Sequence, residues 1–269
     1  MARLSVSVAW WEVVEPLLPK RVKSPKGGPP PVSDRVCLTG ILFVLKTGLP
    51  WEDFPREMGA PEVWHDAVEP SARLARGRGL AEIARSIAGQ TARSQPHRLH
   101  AGGRRFVVRT GGAWGKKTGP NPTDCGKKGR KHHLLTEGHG TPVVASVTAA
   151  NRHDVTPLLP LVDAIPPLAG KVGRPLQKPA ILRADRAYDS GPHRQPLRQR
   201  GIIPFSARRG VPHGSGLGMR RHVVEQTLGL LHPFRRLRTR FDKRADIHEA
   251  FLSLGCSVIG WRRLNQGYI

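Results

Sequence analysis

Apolar and polar positions follow two rhythms along this chain, one helical and one mixed, separated by a stretch with neither. Residues 5–18 place Val8, Trp11, Val14 and Leu18 at helical spacing, and Pro19 stops the run. Residues 20–32 are rich in Lys, Pro and Gly and read as a loop. Asp34 can cap a second helix, with Val36, Leu38, Ile41, Leu42 and Leu45 on one face and Gly48 and Pro50 at its end. Residues 51–58 read as a short third helix. Such a set suits a small helix-turn-helix-like DNA-binding head, and it suits a plain helical bundle equally well.

The rhythm then fails. Residues 59–105 are dominated by Ala, Arg, Gly and Ser, with one helix candidate at 80–88. TARSQPHRLHAGGRR has no period and reads as loop. Order returns as a strand candidate at 106–108, followed by a basic loop over 111–131. Strand-like runs at 132–135 and 143–148 flank the turn Glu137-Gly138-His139-Gly140. Asp154 is placed to cap a helix over 155–165, and an apolar run at 179–184 ends in Asp185. A helix at 193–199, a strand at 202–205 and a basic glycine-rich loop at 208–218 come next. A long helix over 221–240 is divided by Pro233, and a last helix covers 247–263 with Phe251, Leu254, Val258 and Trp261 inward. A hairpin followed by strand–helix alternation predicts a mixed α/β domain behind the helical head.

Composition sharpens the choice of partner. Apolar residues make up 38% of 269, enough for a core, but Lys plus Arg number 44 against 20 Asp plus Glu, a net charge of +24. An excess of one sign repels itself, and a polyanion relieves it, so nucleic acid is the predicted partner. An Arg-rich codon usage accounts for part of that count. No apolar run has membrane-spanning length, and Glu12 and Glu15 interrupt the N-terminus, which excludes a signal peptide. Cys37, Cys125 and Cys256 are too far apart for a zinc or disulfide pattern, so a cytoplasmic protein is expected.

Two acids stand where metal-dependent chemistry would want them. Asp185, in RADRAYDS, follows an apolar strand, and Glu225, in RRHVVEQT, lies on the long helix. Hard cations need oxygen ligands converging from separate elements. Taken singly, each has an ordinary explanation: Asp185 as a turn or cap acid, Glu225 as the partner of Arg221 four residues earlier. Arg221 can alternatively grip a DNA phosphate. Lys116, Lys117, Lys127, Lys128, Arg130, Lys131, Arg208, Arg209, Arg235, Arg236 and Arg238 form basic runs suited to phosphate contact, and Trp114 to base stacking. His132 and His133 read as strand-start residues on that basic face.

From Lys116 onward the chain resembles bacterial insertion-sequence transposases of the DDE type, the insertion sequence 5 family. The resemblance rests on KKTGPNPTDCGKKGRKHHLLTEGHGTPV, TAANRHDVTPLLPLVDAIPP, ADRAYDS, GIIPFSARRG and GSGLGMRRHVVEQTLGLLHPFRRLRTRFDKRADIHEAFLSLGC, and at the N-terminus on WEVVEPLLP and GILFVLKTGLPWEDFPREMG. It implies a ribonuclease-H-like catalytic domain over 101–269, a helical DNA-binding head over 1–58 and a degraded linker over 59–100. It further implies an Asp-Asp-Glu set holding two Mg²⁺ ions (Mn²⁺ can substitute), element ends and target DNA as partners, and a homodimer on DNA. Asp185 matches the second acid, Glu225 the third, and Arg221 the Arg of that helix. His232 stands where some relatives carry Lys.

The first acid belongs on the strand before a Phe-Val-Arg-like stretch. That place reads Ala101-Gly102-Gly103-Arg104-Arg105-Phe106 and carries no carboxylate. Two cationic side chains beside a missing ligand repel metal ions. The prediction is a transposase impaired in catalysis, the alternatives being a non-catalytic DNA-binding remnant and a divergent nuclease. Two explanations of residues 59–115 stand open: translation in a shifted reading frame, which accounts for both the lost rhythm and the lost Asp, and ordinary divergence or a loop that the family tolerates. The gene's nucleotide sequence decides between them.

Overall fold

A computed structural model describes residues 6–18, 32–55, 98–107, 116–123, 125–167, 178–206, 218–239, 241–242 and 244–265. Ser7 caps the first helix, α1 (Val8–Val14), its side chain accepting from the Trp10 amide, and a 3₁₀ turn over Glu15–Leu17 follows. In α2 (Asp34–Thr47) the cap is Ser33, which accepts from the Val36 amide at 3.4 Å, and not Asp34, which sits in the first helical turn. Gly48 closes α2 with a left-handed φ of 72°. The expected third helix is a single 3₁₀ turn, Trp51–Asp53, within the described residues.

The middle of the protein is a sheet of β1 (Arg98–Val107), β2 (Gly119–Pro120), β3 (Lys128–Glu137), β4 (Pro142–Ala149), β5 (Ile181–Ala184) and β6 (Ile203–Ser206). β3 pairs antiparallel with β1 on one side and with β4 and the short β2 on the other. β5 runs parallel to β1, and β6 parallel to β5. The central strand is therefore β1, in the place where the sequence suggests loop up to Arg105. Its backbone is bonded on both sides, from Leu99↔Glu137 to Val107↔Gly129 and from Arg98↔Ile181 to Ala101↔Ala184. Pairing of that kind holds a strand whose side chains show no alternation, because ladder bonds are made by the backbone alone.

Both layers beside the sheet are helical. One comprises α3 (Leu158–Asp163) and α4 (Gly191–Gln199), whose Leu158, Leu161 and Leu197 pack on Ala101, Leu135 and Leu182. The other contains α5 (Gly218–Leu230), α6 (Arg235–Arg238) and α7 (Ala245–Asn265), and also α1 and α2. A bend of turns around Pro233 separates α5 from α6, as its ring requires. α3 starts at Leu158 after Pro157, so Asp154 does not cap it and instead pairs with Lys131.

Val14, Leu38 and Leu45 of the N-terminal helices share one buried cluster with Leu134 of β3, Leu228 of α5, Leu237 of α6 and Leu254 of α7. The helical head is thus packed into the body and is not a separate bead. Leu45 is fully buried in this cluster. Leu45→Ala is expected to lower the free energy of unfolding by about 2–5 kcal/mol in urea denaturation, the range for a buried Leu emptied to Ala.

Candidate active site and nucleic-acid surface

Asp185 follows β5 directly. Its backbone stays extended (φ −66°, ψ 162°), and its side chain accepts from the Arg186 amide at 2.5 Å, capping the 3₁₀ turn Arg186–Tyr188. The ordinary reading of this residue as a cap is therefore realised, alongside its place at the carboxyl end of a parallel strand. Glu225 lies exposed on α5, next to Val224, which is buried in the cluster that contains Leu134. α5 packs across β1 and β3 and is pinned where Thr227 Oγ1 donates to the Gly140 carbonyl of the β3–β4 turn.

Asp185 and Glu225 come from separate elements, the turn that follows β5 and helix α5. Leu135, Leu182 and Ala184 face the α3–α4 layer, and Leu134, one position along β3, faces the α5 layer. Gly102 pairs with Leu134, and one step beyond the Ala101↔Ala184 pair it is the neighbour of Asp185. The β1 position that follows the Ala101↔Ala184 pair is thus a glycine, and β1 carries no carboxylate along its length. Among the described residues no three His, Cys, Asp or Glu side chains are grouped so as to hold a metal ion. Two acids without the third do not fit a two-ion site.

The turn bearing Asp185 is held from below by a buried polar chain. Tyr188 OH lies 2.9 Å from His133 Nδ1, and His133 Nε2 lies 2.8 Å from Thr148 Oγ1. Burial pushes the His133 imidazole down to about 4, with nearby Lys131 acting in the same direction and Asp154 against it. Burial likewise pushes the Tyr188 phenol up. Next along β3, His132 Nε2 lies 2.9 Å from His248 Nε2 of α7, and burial, then the charge of Arg130, holds His132 well below its usual value. Both histidines are mid-strand core residues, a correction to their reading as strand-start residues of a basic face. The HH pair gives no sign of this, because alternate strand positions face opposite layers only once the strand is known to be buried on both.

Three of the expected phosphate-binding residues are also core. Arg130 is fully buried and donates to the Leu237 carbonyl at 2.9 Å. Lys131, 2% exposed, bonds Asp154 at 2.7 Å and the Arg152 carbonyl at 2.5 Å. Arg236 pairs with Asp242 at 3.1 Å and lies 4.5 Å over the Phe241 ring. A guanidinium or ammonium enclosed in this way cannot meet a backbone phosphate, so Arg130, Lys131 and Arg236 leave the DNA surface. Lys116, Lys127, Lys128, Arg235 and Arg238 are exposed, and Lys117 pairs with Glu249. Trp114, Arg208 and Arg209 lie outside the described residues, as does the helix candidate at 80–88, and nothing is described of the Arg221 side chain on α5. The three cysteines are free, Cys37 and Cys256 buried and Cys125 exposed. No described helix is long and apolar enough to cross a membrane.

An α/β body with exposed Lys and Arg and a net charge of +24 fits the class of protein that acts on nucleic acid. Residues 6–73 match the family described as putative transposase of IS4/5 family, and residues 90–210 match the transposase DDE domain. Over 202 residues, 75% of this chain and 95% of the relative, it is 54% identical to a putative transposase for insertion sequence element IS402 of Burkholderia cepacia. A 16.2 kDa uncharacterized protein of the same element matches 63 residues at 54% identity, 22% of this chain and 42% of the relative. The transposase of insertion sequence element IS1106 of Neisseria meningitidis serogroup B is 31% identical over 129 residues, 44% of this chain and 39% of the relative. No solved structure matches. The chain belongs to the IS4/5 family of insertion-sequence transposases, DDE-domain enzymes of DNA transposition that work with divalent metal ions. Asp185 falls inside the matched DDE residues and Glu225 beyond them.

Proposed function

We propose that this chain binds the ends of an insertion element as a transposase but is impaired in cutting and joining DNA. The observation that carries this reading is the glycine at position 102 in the register place beside Asp185. Three antiparallel strands followed by two parallel ones, with helices on both faces, support a ribonuclease-H-like arrangement. In that arrangement Asp185 and Glu225 are the surviving members of a three-acid set for Mg²⁺. What the chain's own residues still offer is a cationic surface of Lys116, Lys127, Lys128, Arg235 and Arg238 for duplex DNA. Terminal inverted repeats, a homodimer that pairs two ends, and a cytoplasmic, nucleoid-associated setting complete the reading.

Two measurements test it. Duplex binding by fluorescence anisotropy should weaken steeply with salt, and the double substitution Lys127→Ala, Lys128→Ala should lower the log–log salt slope by roughly 2, about one unit for each phosphate no longer neutralised. An unchanged slope removes these lysines from the DNA surface. Incubation with an end-containing duplex and Mg²⁺ should give no strand joining, and efficient joining by the chain as it stands would overturn the impairment.

A further inference from the structure

The N-terminal helices touch the body through a buried surface that has its own polar fastening. α2 packs against α6. Arg236 Nη1 donates to the Leu49 carbonyl at 3.3 Å, so a buried guanidinium on the body caps the chain just past α2. Gly48 comes so close that a Cβ there would stand 2.9 Å from the Cβ of Arg235. Val6, Trp10, Val14, Leu38, Ile41 and Leu45 are buried in the cluster shared with α5, α6 and α7. An apolar core divided between two chain segments, with a buried and hydrogen-bonded charge within it, resembles a permanent protein–protein interface. Two distinct families cover residues 6–73 and 90–210, and one relative element has two proteins that match 75% and 22% of this chain.

We propose that the α5–α6–α7 face is a docking surface that holds the helical segment 6–54 without a covalent link, so that it accepts this segment as a separate polypeptide. The link between the segments contributes local concentration and the face contributes the binding. This holds whether or not the acidic site is active.

The test uses the full chain. A specific protease site is inserted after Gly59, the protein is purified intact, cleaved, and run on gel filtration in native buffer. Both fragments should co-elute in equimolar amounts, and a tagged copy of the N-terminal fragment, added in excess, should exchange into the complex. Elution as two separate species overturns the proposal, as does cleavage that yields an N-terminal fragment free in solution. Gly48→Ala and Arg236→Ala probe the contact from either side. Each should speed loss of the N-terminal fragment about tenfold in the cleaved protein, since interface changes act mostly on the off-rate, while the uncleaved variants keep the circular dichroism of the parent. Retention unchanged in both variants would place the binding elsewhere and sink the surface named here.

Discussion

Gly102→Asp is expected to raise nicking and joining of an end-containing duplex in Mg²⁺ above the level given by the chain as it stands. The register sets the substitution: Gly102 pairs with Leu134, on the α5 side, and is the next position after Ala101↔Ala184, beyond which Asp185 follows. An Asp there supplies the oxygen ligand that neither Asp185 nor Glu225 can replace, since each comes from a different element. The gain should be on the order of 10²–10³-fold over background, the scale on which one preorganised electrostatic group is felt in an active site. Adding Asp185→Ala to the same chain should return it to background. Gly103→Asp, which faces the opposite layer with His133, should give no gain. Equal activity from both single variants would show that the register argument is wrong.

Acid should unfold this protein earlier than its carboxylates alone require. His133 lies between Tyr188 and Thr148, near Lys131 and Asp154, and its imidazole is held at about 4 against an ordinary 6.5. Below pH 6.5 the unfolded chain takes up a proton that the folded chain refuses until about pH 4, so stability falls as pH falls through that window. A shift of this size is worth about 3 kcal/mol at its full extent. His132, also held low by burial, adds loss of the same sign. Urea midpoints measured from about pH 7.5 down to about pH 4.5 should fall steadily. His133→Asn should start from a lower stability and fall by roughly 2–3 kcal/mol less over the same span. Parallel profiles for parent and variant would remove His133 as the source.

How much of this is legible in the sequence depends on which force fixes each element. Helices α2 and α7 and the Gly48 stop are readable because apolar spacing and a left-handed glycine act locally. Asp185 at a strand end is readable because the largely apolar run 179–184 leads directly into an acid. β1 is not readable, because HAGGRR carries no pattern and its conformation is imposed by partners far along the chain, Leu134 for Gly102 and Ile181 for Arg98. The same blindness misplaces Arg130 and Lys131. Basic residues in a GKKGRKHH string look solvated until the strand that contains them is found between two helical layers, where Leu237 and Asp154 receive them. The head reads as separate because nothing in α1 or α2 reveals that its apolar face meets α5–α7.

That shared core ties the first helices to the last ones in time as well as in space. A growing polypeptide makes α1 and α2 long before α7, so their apolar faces wait uncovered for most of translation. Contacts so distant along the chain close slowly and leave sticky intermediates behind. Any ribosome that stops short of residue 245 releases a product lacking the lid over its own N-terminus, and quality-control proteases should clear it.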